Sequence, residues 1–111
     1  LVIGRTKPDS VELPDDIKPV SSHVARTVVD VDGNELDIFR HNVSYGCTGD
    51  HGTLFVGFSQ DRWRQFEMLR RMAGVDGTRD ALTRFTTPLS GAIYVIPSVH
   101  ALADYLPQDD D

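Results

Sequence analysis

The stretch Thr27-Val28-Val29-Asp30-Val31-Asp32-Gly33-Asn34-Glu35-Leu36-Asp37-Ile38-Phe39-Arg40-His41-Asn42 sets the fold class. Its first five residues are rich in β-branched side chains, which fit a pleated, half-buried surface. Asp32-Gly33-Asn34 is a hairpin-turn sequence, because Gly33 takes a positive φ without steric penalty. Leu36, Ile38 and Arg40 then alternate with Asp37, Phe39 and His41, the period of two that marks a strand. The stretch predicts an antiparallel β-hairpin over 27–42 with Asp32-Gly33 at its tip. Paired about that tip, residue 25 faces 40 and residue 23 faces 42. Arg40 and Asn42 then share one strand face and return towards His23.

Outward from the hairpin, Thr53–Ser59 is a run that is apolar on both faces, which predicts a central strand. Asp61 follows as an N-cap, and 62–73 has helical period. Trp63, Phe66, Leu69, Met72 and Ala73 form one stripe of that helix, with Arg62, Arg64, Glu67, Arg70 and Arg71 mostly outside it. Gly74 closes it as a C′ glycine. A short helix near 79–84, a buried strand over 91–96 and a last helix over 99–106, opened by Pro97-Ser98, complete the order. Hairpin, strand, helix, helix, strand, helix predicts an α+β fold, with an antiparallel sheet and helices packed on one face.

Residues 1–22 read as loop. Pro8, Pro14 and Pro19 remove backbone donors, while Asp9, Glu12, Asp15 and Asp16 make the stretch acidic. Such a segment is ordered only when it lies on another surface. The chain starts Leu1-Val2-Ile3-Gly4, which looks like the interior of a longer protein. At the other end, Gln108–Asp111 is expected to be solvated charge.

With 111 residues there is material for one domain. Hydrophobic content of 40 % and charged content of 25 % exclude a disordered tail, a collagen-like rod and a disulfide scaffold. Apolar runs such as Ala92–Ile96 fall far short of the ~20 residues of a membrane span. A formal charge of −6 argues against a nucleic-acid partner. A single cysteine, Cys47, makes no internal disulfide, so a reducing, cytoplasmic setting is expected, and no targeting segment is visible.

His23 is the leading candidate for chemistry. At a junction between loop and strand it can offer one ring nitrogen to a metal while an acceptor holds the other. The alternative is a histidine that bonds only its own loop. Arg40 and Asn42 add a cation and an amide to the same region, the alternative being a plain sheet edge. Directly paired residues have Cβ atoms only ~5 Å apart, so a planar cofactor between His23 and Arg40 requires the ladder to open before residue 25. Arg5 and Lys7 are anion-binding candidates in a stretch whose default is a solvated loop. Asp80 reads as a helix-start charge, and Trp63, Met68 and Met72 as core. Cys47 has no His–Asp pattern beside it, and HExxH, CxxC, P-loop and GxSxG motifs are absent.

Several runs, in order, carry a family resemblance. They are Val2–Pro19, Ser22-His23-Val24-Ala25-Arg26, Phe39-Arg40-His41-Asn42-Val43-Ser44-Tyr45-Gly46, Gly52–Phe58, Met68–Met72 and Gly91-Ala92-Ile93-Tyr94. Together they resemble the dye-decolourising peroxidases, in particular the bacterial deferrochelatase-like subgroup, over nearly the whole chain. The resemblance implies a haem b enzyme built from two ferredoxin-like α+β domains, with this chain similar to the C-terminal one. It implies a linker at 1–22, the haem-binding domain at 23–106 and an acidic tail at 107–111. It makes His23 the proximal ligand of the haem iron and Asp80 the carboxylate on its other nitrogen. Arg40 and Asn42 become the distal arginine and amide, Arg5 a propionate partner and Phe55 an apolar wall of the pocket. The implied function is reduction of hydrogen peroxide with oxidation of a small organic donor, a phenol or dye. The implied partners are the N-terminal half of the same protein and further copies in a homo-oligomer, with no nucleic acid or membrane. Two departures stand out. Val43-Ser44-Tyr45-Gly46 replaces the family's Met-Pro-Phe/Tyr-Gly, and the distal Gly-x-x-Asp-Gly motif does not occur in these residues. The alternative is therefore a haem-binding or structural fragment without turnover.

Overall fold

A computed structural model describes residues 1–107, and the acidic tail expected at 108–111 lies outside the described residues. The elements are α1 (His23–Thr27), β1 (Asp30–Val31), β2 (Asn34–Glu35), β3 (Phe39–Gly46), β4 (His51–Phe58), α2 (Arg62–Ala73), a 3-10 turn (Ala81–Arg84) and α3 (Val99–Ala103). All strand pairing in them is antiparallel, and the class is α+β.

The expected hairpin exists, in the expected register, but it is short. Asp30 faces Glu35 and Val31 faces Asn34. Asp32 and Gly33 both have positive φ, 52° and 79°, as a tight two-residue turn requires. One further bond, from Leu36 N–H to the Val29 carbonyl at 2.7 Å, extends the pairing, and there it ends. Residue 25 does not face 40, nor residue 23 residue 42. Ser22 caps residues 23–27 into a helix instead, its Oγ accepting from Ala25 N–H. Arg40 and Asn42 pair elsewhere, in a second ribbon that runs from Phe39–Phe58 to Gly46–His51. Gly46, at φ 101°, makes the turn of that ribbon, closed by Cys47 N–H on the Asp50 carbonyl at 2.8 Å.

The strand expected to be central, β4, pairs only with β3 among the described residues, and Leu54, Phe55 and Phe58 stay exposed. Residues 91–96 pair with nothing among the described residues, and Val95 is 90 % exposed. Helix α2 has the expected bounds and caps: Asp61 accepts from Arg64 N–H, and Gly74 is left-handed at φ 79°. Its apolar stripe does not form a core, however. Trp63, Phe66 and Leu69 are about half exposed, while Met68 is 3 % exposed. The reason is that α2 packs against α1 and turns its stripe away from the rest of the chain. The short helix near 79–84 is the 3-10 turn, and α3 stops at Ala103 rather than 106.

Buried hydrophobic residues in the described part come down to Val29 and Met68. The chain exposes 9318 Å², against about 6,100 Å² for a compact monomer of this mass. Its radius of gyration is 18.2 Å, against about 13 Å for a compact domain of this length. Among the described residues no helix is long and apolar enough to cross a membrane.

Candidate functional site

The site is assembled around α1, and the first residues of the chain help to build it. His23 N–H donates to the Val2 carbonyl at 2.8 Å, and Val24 N–H to that of Ile3 at 2.9 Å. These are donors of the first helical turn, which have no intrahelical acceptor. Gly4, at φ 91°, lets the chain pass close to the cap: a Cβ there would stand 2.8 Å from Ser22 Oγ. Arg5 is thereby brought beside α1, its Nε donating to the Ser10 carbonyl at 2.7 Å and to Ser10 Oγ at 3.1 Å.

His23 and Asp80, 57 positions apart, meet at 2.7 Å between Nδ1 and Oδ2. Asp80 is fully buried, and each of its carboxylate oxygens has a hydrogen-bond partner. Its Oδ1 accepts from Leu82 N–H at 2.8 Å, and its own N–H donates to the Met72 carbonyl at 3.1 Å. An ionised carboxylate only accepts, so its contact at Oδ2 is one made by the imidazole tautomer that carries its proton on Nδ1. Nε2 is then the nitrogen that keeps its lone pair. The sequence-based reading of Asp80 as a helix-start residue is also correct: it caps the 3-10 turn with one oxygen and holds His23 with the other.

His23, Arg5 and Arg40 line one cleft of about 360 Å³, together with Glu12, Glu35 and Asp37. That volume lies in the ordinary range of small-molecule sites. Arg40 reaches it from β3, where one terminal nitrogen donates to the Thr27 carbonyl at 2.7 Å, the last residue of α1. Its Nε is buried and has no partner among the described residues. Burial lowers the Arg40 pKa from its ordinary value, and the charge of Glu35 opposes that shift. Asn42 and Phe55 face each other across the β3–β4 ribbon, and strand alternation puts them on the same face as Arg40. They do not line the cleft.

The backbone acceptors that fix the pair, Ser21 and Met72, carry no mark in the sequence. Ala81 N–H donates to the Ser21 carbonyl at 2.7 Å and so ties the Asp80 turn to the residue before the cap. Pro19, whose carbonyl accepts from Ser22 N–H at 2.9 Å, is the one legible sign of that turn.

The α+β chain thus holds a histidine against a buried carboxylate on the wall of a cleft shared with two arginines. Residues 1–101 match the family model described as Dyp-type peroxidase, C-terminal, and the chain belongs to that family. It is 43 % identical over 108 residues to a dye-decolorizing peroxidase of Mycolicibacterium paratuberculosis, covering 93 % of this chain and 30 % of the relative. A dye-decolorizing protein from V. cholerae has a solved structure similar to this one, with a TM-score of 0.69 at 46 % identity, covering 75 % of this chain and 28 % of that one. A DypB variant from Rhodococcus jostii RHA1, solved in complex with heme, gives a TM-score of 0.69 at 43 % identity, over the same 75 % and 28 %. The chain thus spans about a third of the length of the relatives it matches. These similarities place it in the ferredoxin-like α+β class.

Haem is the cofactor this family implies. The residues fit it: one imidazole nitrogen is held while the other has no hydrogen bond among the described residues, and Arg40, which lines the same cleft, has a buried Nε without an acceptor among them.

Proposed function

We propose that this chain is the C-terminal, proximal-side part of a haem b peroxidase that reduces hydrogen peroxide and oxidises a small organic donor such as a phenol or dye. The observation that carries the reading is the 2.7 Å contact between His23 Nδ1 and the fully buried Asp80. A carboxylate on Nδ1 fixes the tautomer and makes Nε2 the more basic ligand. Bound haem would supply the redox chemistry of peroxide cleavage, which a strongly donating imidazole ligand would favour. His23 Nε2 is the metal ligand in this reading. Arg40 supplies a fixed positive charge where negative charge grows on the peroxide oxygens. Arg5 suits a propionate, because a guanidinium pairs with a carboxylate through two parallel hydrogen bonds. Asn42 and Phe55 belong to the pocket once the ribbon face that carries them is covered.

The division into a linker at 1–22, a haem-binding domain at 23–106 and a tail at 107–111 belongs to the same proposal, with one amendment: residues 2–5 are part of the site. So do the remaining partners: the N-terminal half, homo-oligomeric copies and a cytoplasmic setting.

Haemin titration of the whole protein tests the reading. A Soret shift that disappears in His23→Ala is expected, followed by spectral change on adding peroxide. Absence of a His23-dependent shift would sink the haem reading. Binding without a peroxide response would leave a haem-binding module only.

A further inference from the structure

Asp80, which holds His23, is carried by a loop rather than by α2 itself. Residues 74–80 join α2 to the 3-10 turn, and a loop needs ties if it is to hold a carboxylate to within a fraction of an ångström. Arg26 provides them. It lies three residues after His23 on α1 and is only 9 % exposed. Its Nε donates to the Arg71 carbonyl at 3.2 Å, in the last turn of α2, where carbonyls lack helical partners and the helix dipole favours a cation. One terminal nitrogen of the same guanidinium pairs with Asp76, inside the loop. Asp76 is also bonded to its own loop, accepting from Thr78 N–H at 3.4 Å. A single guanidinium therefore ties the helix that starts with His23 to the end of α2 and to the loop that ends in Asp80.

The geometry points to Arg26, with Asp76 as its partner, as the positioning residue of the His23–Asp80 pair. It touches neither the imidazole nor the cleft, and it acts through the loop. Its catalytic consequence rests on the reading of His23 as an axial ligand, while its effect on the pair does not. Lysine is a poor substitute. Its ammonium is a point charge, whereas the fork of arginine meets the Arg71 carbonyl and the Asp76 carboxylate at once.

Two measurements on the whole protein decide the matter. In the haem-free protein, the His23 Nδ1–H proton resonance, assigned by its loss in His23→Ala, reports the bond to Asp80. Arg26→Ala and Asp76→Asn are expected to shift it upfield or lose it, with Arg26→Lys restoring it only in part. In the haem-loaded protein, weakening that bond makes the imidazole a poorer donor, so the ferric/ferrous potential moves positive. Asp80→Asn sets the full size of that shift. Arg26→Ala is expected to move it in the same direction by less, and to add nothing on top of Asp80→Asn. An unchanged resonance and potential, with only a lower melting temperature, would show that Arg26 is a fold staple and overturn the proposal. Asp76→Asn, at a half-exposed side chain, carries the test if Arg26→Ala does not fold. Should haem fail to bind through His23, the proton resonance still decides the positioning role, separately from the peroxidase reading.

Discussion

Two parts of this molecule handle their polar and apolar groups in opposite ways. Around α1 the chain satisfies itself: Asp80 and Ser22 are fully buried with partners, and Val29 and Met68 are covered. In the β3–β4 ribbon and residues 85–107, the backbone of the ribbon is paired but most of its side chains are exposed, Arg40 and Val56 being half-buried. Phe39, Val43, Tyr45, Leu54 and Phe58 lie on one ribbon face, all exposed, and the Phe39 and Phe58 rings stand 6.1 Å apart. The first part is organised by hydrogen bonds that the chain supplies. The second leaves a row of apolar side chains open to solvent. The proximal side of the proposed site is thus internally determined, and the face carrying Asn42 and Phe55 depends on what covers the ribbon.

Core truncation should expose this contrast most strongly. Met68→Ala removes a buried side chain between α1 and α2, and a loss of about 2–5 kcal/mol is expected in chemical denaturation. Leu69→Ala, one residue on and 51 % exposed, should stay within about 0.5 kcal/mol in this chain alone. Equal losses would mean that the α2 stripe is packed and the two-region picture is wrong. The same Leu69→Ala change made in the whole protein should cost more if the stripe is covered there.

Next in size is the loss of the carboxylate behind His23. Asp80→Asn keeps the shape but removes the charge and puts an amide in place of one accepting oxygen. Haem affinity in the whole protein is expected to fall by about 10–100-fold. Asn42→Ala, on the exposed ribbon, should change affinity far less. A larger effect at Asn42 than at Asp80 in an equilibrium haem titration would reverse the assignment of which side is self-determined.

The cap comes third. Ser22→Ala removes the acceptor for Ala25 N–H in a helix of only five residues, at a cost of about 1 kcal/mol. Thermal melting of the variant checks this. The same change at Ser98, which caps α3 in the exposed part, should be barely visible, because α3 packs no buried residue among those described.

How much of this was legible follows the same division. Asp61, Gly74 and the Asp32-Gly33 turn act through their own backbone neighbours, so local reading placed them correctly. Residues 23–27 were misplaced because β-branched Val24 and Thr27 extend the strand-like run, while the cap at Ser22 decides for helix. The strand at 91–96 has the right composition, but pairing needs a neighbour, which composition does not provide. His23 and Arg40 share a cleft for a different reason from the ladder that first brought them together: Arg40 reaches the end of α1 from another ribbon. The bond between His23 and Asp80 spans 57 positions, and only the family resemblance joined them before the structure did.

The smallest expected effect is a dependence on pH that belongs to the self-satisfied part. The hydrogen bond from Arg26 holds the Asp76 carboxyl below its ordinary value; burial opposes it, and the Thr78 backbone and the charge of Arg26 add smaller effects in the lowering direction. The unfolded chain then binds its proton at higher pH than the folded chain, so stability rises with pH through that interval. The contribution is complete above the ordinary carboxylate value of about 3.9 and is lost as pH falls through the lowered folded value. Asp76 is half exposed, so the effect is small and weakens with salt. Asp9, held low chiefly by the Thr6 hydroxyl, contributes with the same sign from the 1–22 segment, and Asp76→Asn separates the two. Melting temperatures of wild type and Asp76→Asn should differ at neutral pH and converge on acidification. Curves that stay parallel as the pH falls through the carboxylate range would show that Arg26 gains nothing from the charge of Asp76 and would leave its guanidinium tied to the Arg71 carbonyl alone.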